Sequence, residues 1–365
     1  MSTMTSGKLM NLQRLTDSAG RFKMLAIDQR DSMRNAIGRA TARKPGDITF
    51  ADLADAKAVI TEVLAPHSTA TLVDPVYGLA RAVKLIQGRV GVLVATEETG
   101  YEPGGPDGKQ RKTRLVDGWS VAKAKRAGAN AAKLLVYYNP DAQPDVLAHQ
   151  QSVVRAVGAD CAREDLPFLL ELVTYPLGEP AADSPEFARK RPRHAIESAR
   201  EFSKNGYGVD ILKLEFPGDL KYAREFAPGA FDGKAREPVW TLAEAKNACR
   251  ELNEAAGRPW VILSGGVDIS EFLVNLSLAV DAGASGFLCG RAIWKDVVPR
   301  YPDLAAMRAF LQREGAWNFA RANATADVAR PWYAHPYYGG WDRVDVAQLG
   351  EEWYRRYQAE PVSVR

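Results

Sequence analysis

Eight short apolar runs punctuate the chain: KMLAID (23–28), ATLVDP (70–75), GVLVAT (91–96), AAKLLVYY (131–138), LPFLLELVTY (166–175), VDILKLEF (209–216), PWVILSGG (259–266) and GASGFLCG (283–290). Near-continuous apolar runs of this length suit strands covered on both faces, as in parallel sheets. Amphipathic stretches lie between them. FADLADAKAVITEVLAP (50–66) sets Leu53, Ile60 and Leu64 on one helical face, and DISEFLVNLSLAVDAG (268–283) starts with Asp268 as an N-cap and stops at Gly283. Eight alternating strand–helix units over roughly 270 residues predict an α/β fold of the (β/α)8, TIM-barrel type. A doubly wound open sheet is the rival arrangement. Its glycine-rich turn after the first strand is missing, because AIDQRDS contains no glycine.

Several segments fall outside the minimal barrel. LMNLQRLTDSAG within residues 1–20 reads as a short preceding helix that closes the barrel's N-terminal face, and EPGGPDGKQRKTR (102–114) as a polar Gly/Pro loop. Residues 217–240 form a long connection of the kind that often serves as a lid. The expected division is a barrel over 1–315 and a C-terminal extension over 316–365, rich in Trp and Tyr as in PWYAHPYYGGW (331–341). Such aromatics are expected to pack on the barrel or a subunit neighbour, which leans towards a homo-oligomer, although covering the site is a second role open to them.

Composition narrows the partners. At 46% apolar and 25% charged the 365 residues can bury a large core, and 48 basic against 45 acidic residues give a net charge of only +3. With the charges interspersed, neither nucleic acid nor membrane is an expected partner. The N-terminus lacks a signal-peptide core, so a cytoplasmic location is expected. Three cysteines and four histidines are scattered, which indicates neither a disulfide framework nor a metal site.

In such a barrel the chemistry sits at the C-terminal ends of the strands. These carry Asp28-Gln29-Arg30, Asp74, Thr96-Glu97-Glu98, Lys133, Glu171, Lys213 with Glu215, Ser264-Gly265-Gly266 and Gly290-Arg291. Ammonium groups are costly to desolvate unless paired or neutral. Lys133, Glu171 and Lys213 are therefore either structural ion pairs or a reactive set. The SGG and CGR turns offer unshielded backbone N–H groups and an arginine fork, the equipment of a phosphate site. A lysine facing a phosphate pocket suits an imine former, whose neutral amine attacks a ketone. That requires its pKa to fall from about 10.4 towards 7–8, about 4 kcal/mol of differential destabilisation. Burial and the second cation Lys133 push that way; Glu171 opposes, unless it is protonated or held by Lys133. Glu171 is placed by strand order to shuttle the proton as a C–C bond breaks, with Asp28 or water assisting at the carbinolamine.

AIDQR, EETGY (97–101), WSVAKAKRAGANAAKLLVYYNPD (119–141), LLELVTYP, VDILKLEFPG, LKYAREFA (220–227), ILSGGV and FLCGRAIW together resemble, in order, the class I tagatose-1,6-bisphosphate aldolase family. The resemblance implies a metal-independent (β/α)8 enzyme that needs no cofactor. It would cleave a ketohexose 1,6-bisphosphate to dihydroxyacetone phosphate and glyceraldehyde 3-phosphate. Motif by motif, it implies Lys213 as the imine lysine and Glu171 as the acid/base, with Asp28, Gln29 and Lys133 lining the site. Ser264-Gly265 and Gly290-Arg291 would hold the phosphate of the dihydroxyacetone half; Arg30 and Gly266 complete the expected binding set. This chain departs from the family pattern in the longer 102–114 loop, in ILSGG for ILSAG and in its long aromatic tail. The loop lies near the expected distal end of the hexose. An aldolase or transaldolase for a sulfo-sugar phosphate therefore stands as an alternative, as does a non-catalytic phosphosugar-binding regulator. Glycoside hydrolysis by Glu171 with Glu215 or Asp28 is a further reading, but leaves both lysines and the glycine turns without a purpose.

Overall fold

The computed structural model describes residues 2–178, 181–346 and 350–357. Eight parallel strands close into a barrel in chain order: β1 (Phe22–Ile27), β2 (Ala70–Val73), β3 (Gly91–Ala95), β4 (Ala131–Tyr137), β5 (Phe168–Val173), β6 (Ile211–Leu214), β7 (Trp260–Leu263) and β8 (Gly286–Cys289). Each lies within or one residue beyond its predicted run, as strands buried on both faces should.

Side chains alternate between two cores. Leu25 and Ile27 on β1 face the surrounding helices, in a cluster shared with Leu53, Ile60 and Leu64 of the Phe50–Leu64 helix. Met24 and Ala26 face the interior with Leu72, Leu93, Ala131, Leu169, Ile211, Val261 and Leu288. Local chemistry fixes the helix starts. Thr49 Oγ1 accepts from Asp52 N at 3.2 Å while Asp52 Oδ2 accepts from Thr49 N at 2.7 Å. Losing such a cap costs about 0.5–2 kcal/mol. Asp268 stands at the N-cap of Ile269–Ala282, but its carboxylate pairs with Lys295 and makes no side-chain capping bond. Gly283 ends that helix in the left-handed region, at φ 119°.

The preceding helix runs Ser6–Arg14, earlier than the LMNLQRL pattern suggests, because Thr5 caps it through Lys8 N. Its Leu12, together with Leu15, packs beneath the barrel against Phe22 and the nearly inaccessible Trp332, whose N donates to Gly20 O at 2.9 Å. The aromatic segment thus lies at the N-terminal end of the strands, with Trp332 edge-on to Tyr338 at 4.9 Å. Helical chain from Leu304 to Ala326 packs on Phe50–Leu64 and Ile269–Ala282; position 315 falls inside it. The rest of the expected 316–365 extension includes residues outside those described. The 102–114 segment is more ordered than a loop: Glu102–Gly104 and Gln110–Lys112 form an antiparallel hairpin. Among the described residues no helix is long and apolar enough to cross a membrane.

Candidate active site

One inward step along five strands changes the barrel interior from apolar to ionic. Ala26 is followed two residues on by Asp28, Ala95 by Glu97, Ala131 by Lys133, Leu169 by Glu171 and Ile211 by Lys213. With a side-chain period of two, the members of each pair share a face. Register then sets neighbours: Glu171 lies directly beside Lys213, and Leu135, two past Lys133, lies beside Glu171.

The ionic layer is a single network. Lys133 Nζ lies 2.8 Å from Asp28 Oδ2, 2.5 Å from Glu97 Oε1 and 2.9 Å from Glu171 Oε2. The other oxygen of Glu171, Oε1, lies 2.8 Å from Lys213 Nζ. Glu171 is therefore shared between two ammonium groups, one oxygen to each. Glu97 Oε2 accepts from Leu135 N at 3.0 Å, and the Glu97 carbonyl accepts from Arg30, whose Nη1 also meets Glu98 Oε1 at 3.2 Å.

Burial and charge compete at each group. Burial disfavours the ionised form of Asp28, but Lys133 and Lys213 outweigh it and hold the carboxyl well below the usual carboxylate range. Glu171 is likewise lowered, burial being overcome by the same two lysines. Burial alone would lower Lys133; Asp28, Glu171 and Glu97 reverse this and raise it well above an ordinary lysine. Lys133 is thus a permanent cation at neutral pH, suited to holding carboxylates in place. Burial pushes the nearby Cys289 thiol up to about 12, so it is no thiolate nucleophile.

Above the network a cavity of about 350 Å³ is lined by Asp28, Gln29, Arg30, Lys133, Lys213 and Arg291, among others. Asp28 Oδ1 and Gln29 Oε1 are buried there without hydrogen-bond partners among the described residues. Unpartnered buried oxygens are costly, and an incoming hydroxyl would satisfy them. Ser264, Gly265, Gly266 and Gly290 do not line the cavity, but Gly266 lies beneath the Arg291 guanidinium. At φ 85°, with an added Cβ only 2.8 Å from Arg291 Cζ, position 266 favours glycine on both counts.

Glu97, which has no place in the expected catalytic or binding set, is a full member of the network. Its place two residues past Ala95 on the interior face was the available signal. Asp74, by contrast, leaves the site to pair with Lys57 at 2.6 Å. Glu215 Oε2 is occupied by Thr174, accepting from N at 2.6 Å and Oγ1 at 2.8 Å. Among the described residues no group of three or more His, Cys, Asp or Glu side chains is arranged to hold a metal ion; the three carboxylates converge on the Lys133 ammonium.

Over most of its length the chain is similar to known proteins. Tagatose 1,6-diphosphate aldolase 2 of Enterococcus faecalis is 36% identical over 339 residues, covering 92% of this chain and 98% of that protein. Tagatose 1,6-diphosphate aldolase of Lactococcus lactis subsp. lactis is 33% identical over 334 residues, covering 90% and 98%. In fold the chain resembles the fructose-bisphosphate aldolase of Plasmodium falciparum, with a TM-score of 0.59 at 14% identity over 90% of this chain and 97% of that one. Residues 22–296, the whole barrel with its ionic layer, match the DeoC/LacD family aldolase, and this chain belongs to that family.

Proposed function

We propose that the chain cleaves a ketohexose 1,6-bisphosphate such as tagatose or fructose 1,6-bisphosphate reversibly, through an imine on Lys213. The observation that carries this reading is the register pair Lys213–Glu171, with Lys133 on the second oxygen of Glu171, at the floor of a cavity that Arg291 rims. The names of the relatives support the substrate class.

The roles follow from reach. Lys213 gives a proton to Glu171 Oε1, 2.8 Å away, and its lone pair attacks the C2 ketone. The carbinolamine oxygen leaves as water, taking one proton from the nitrogen and the other back from Glu171, with Asp28, one oxygen free of partners, assisting that transfer. The resulting iminium draws the electrons of the C3–C4 bond as Glu171 takes the C4 hydroxyl proton. Glyceraldehyde 3-phosphate departs, and an enamine remains on Lys213. Protonation at C3 and addition of water release dihydroxyacetone phosphate and restore the amine. Lys133 keeps its charge throughout and fixes Asp28, Glu97 and Glu171. Gln29 and Arg30 contact the sugar; Arg291, over the Ser264-Gly265-Gly266 turn and beside Gly290, holds the phosphate of the dihydroxyacetone half.

Borohydride added with dihydroxyacetone phosphate should label Lys213 irreversibly, as read by peptide mass mapping. Lys213→Ala should lose the label and at least about 10³-fold in turnover. Labelling confined to Lys133, or turnover abolished by EDTA, would overturn the assignment.

A further inference from the structure

The hairpin that extends the 102–114 segment carries a cation no role above uses. Arg111 Cζ lies 4.8 Å from the Tyr101 ring centroid, 4.5 Å from that of Tyr137 and 4.8 Å from that of Tyr175. Ring faces hold a guanidinium without neutralising it and leave its in-plane N–H donors for other partners. Among the described residues no carboxylate lies within ion-pair distance of Arg111, and its Nε is buried without a hydrogen-bond partner.

Two residues on, just past the strand Gln110–Lys112, comes Thr113. Thr113 is 5% exposed, lines the cavity, and its Oγ1 has no partner. A buried, unpartnered hydroxyl in a cavity wall is a second, independent sign of an absent ligand. Tyr137 joins the two, since it lines the same cavity and packs on Arg111.

The hairpin is fixed to the barrel. Gln150, 1% exposed, accepts from Thr113 N at 2.9 Å and donates to Arg111 O at 3.0 Å and Tyr137 O at 2.7 Å. Gln110 Oε1 accepts from Gln143 N at 2.8 Å. Arg111 is therefore held in position before any ligand arrives.

Topology gives its position in the mouth. In a closed ring of eight strands, β4 stands opposite β8, and β6 lies midway between them. Arg291 follows β8, Lys213 is on β6, and Arg111 stacks on Tyr137 of β4. Their strands stand on opposite sides of the ring, with that of Lys213 a quarter turn from each; Thr113 and Tyr137 line the cavity itself, and Arg111 packs on Tyr137.

We propose that Arg111 and Thr113 form the subsite for the anionic group at the end of the ketose far from the imine carbon. This rests on the aldolase reading and adds the residues that select the distal group. A tetrahedral oxyanion, such as phosphate, takes two N–H bonds from the guanidinium and one O–H bond from Thr113.

The test compares cleavage of a ketohexose 1,6-bisphosphate with that of the matching 1-phosphate. Arg111→Ala should raise KM for the bisphosphate about 10–100-fold and leave KM for the 1-phosphate within about twofold. Arg111→Lys should fall between, because it keeps charge but not the fork. Thr113→Val should raise the bisphosphate KM about 3–10-fold. Equal losses on both substrates, or no change on either, would overturn the subsite. Borohydride labelling with dihydroxyacetone phosphate, which fills only the imine half, separates the two ideas. Normal labelling with an unchanged KM ratio removes Arg111 alone, whereas absent labelling in the unsubstituted protein removes the aldolase reading and the subsite with it.

Discussion

Lys57 and Lys133 are both almost completely buried at strand ends of this barrel, and their surroundings differ. Lys57 comes from the Phe50–Leu64 helix into the seam between β1 and β2, where Nζ donates to Ile27 O and Asp74 Oδ2, each at 2.6 Å. The second oxygen of Asp74 is also occupied, accepting from Val76 N at 3.0 Å and Tyr77 N at 2.7 Å. Burial lowers the Lys57 pKa despite the attraction of Asp74. Lys133, inside the barrel, meets three carboxylates that together overcome burial and raise its pKa. One partner carboxylate, Asp28, also leaves an oxygen unpartnered in a cavity. A closed pair is a strut; an over-supplied cation whose partners face open space fits the machinery proposed above. A lysine's burial does not tell these apart, and the number and openness of its carboxylates do.

The largest effect expected from this contrast is on turnover. Glu171→Gln keeps the shape of the shared carboxylate but removes the proton transfer proposed for it, and should cut kcat about 10²–10⁴-fold. Steady-state cleavage measures it, and a loss below tenfold would place the proton shuttle elsewhere. Lys57→Met should act on the other side, leaving Asp74 buried without its counter-charge. Its unfolding free energy should fall by about 3–5 kcal/mol in urea titration, with kcat of the folded enzyme within twofold. A large loss of kcat with an intact urea midpoint would erase the distinction between strut and machinery.

The smallest effect is far from both lysines. His335 Nε2 donates to Ala256 O at 3.1 Å, Nδ1 accepts from Tyr337 N at 3.2 Å, and burial, aided by Arg330 and Arg258, lowers its pKa from 6.5 to about 4. Between those values the unfolded chain binds a proton that the folded chain excludes. Stability from neutral His335 is therefore complete above about 6.5 and is lost as pH falls towards about 4. A thermal melt series should show Tm dropping by about 2–4 °C for each kcal/mol lost, with a flatter profile in His335→Gln.

The strands were legible because each is a short apolar run broken by polar residues, a pattern that parallel barrel strands require on both faces. Lys213, Glu171 and Lys133 stood out for the same reason, as ions inside apolar runs. Glu97 did not, because it follows Thr96 at the end of its run, where polar residues are ordinary. Lys57 looked like any polar helix position, since its depth depends on how the helix meets β1 and β2. The hairpin around Arg111 read as loop because its order comes from Gln150, 37 positions from Thr113 in sequence. Long-range hydrogen bonds of this kind leave no local periodicity.

The change from apolar to ionic side chains at one level of the barrel also bears on assembly. A strand that closed one residue out of register would turn its lysine or carboxylate into the seam under the helices. Five strands carry such a residue at the same level, so a slip on any of them would strand an ion among leucines and separate its partner from it. Misaligned barrels are thus penalised most strongly at the level where alignment matters to the substrate. The residues proposed to break a carbon–carbon bond also serve as the gauge by which the closing barrel is measured.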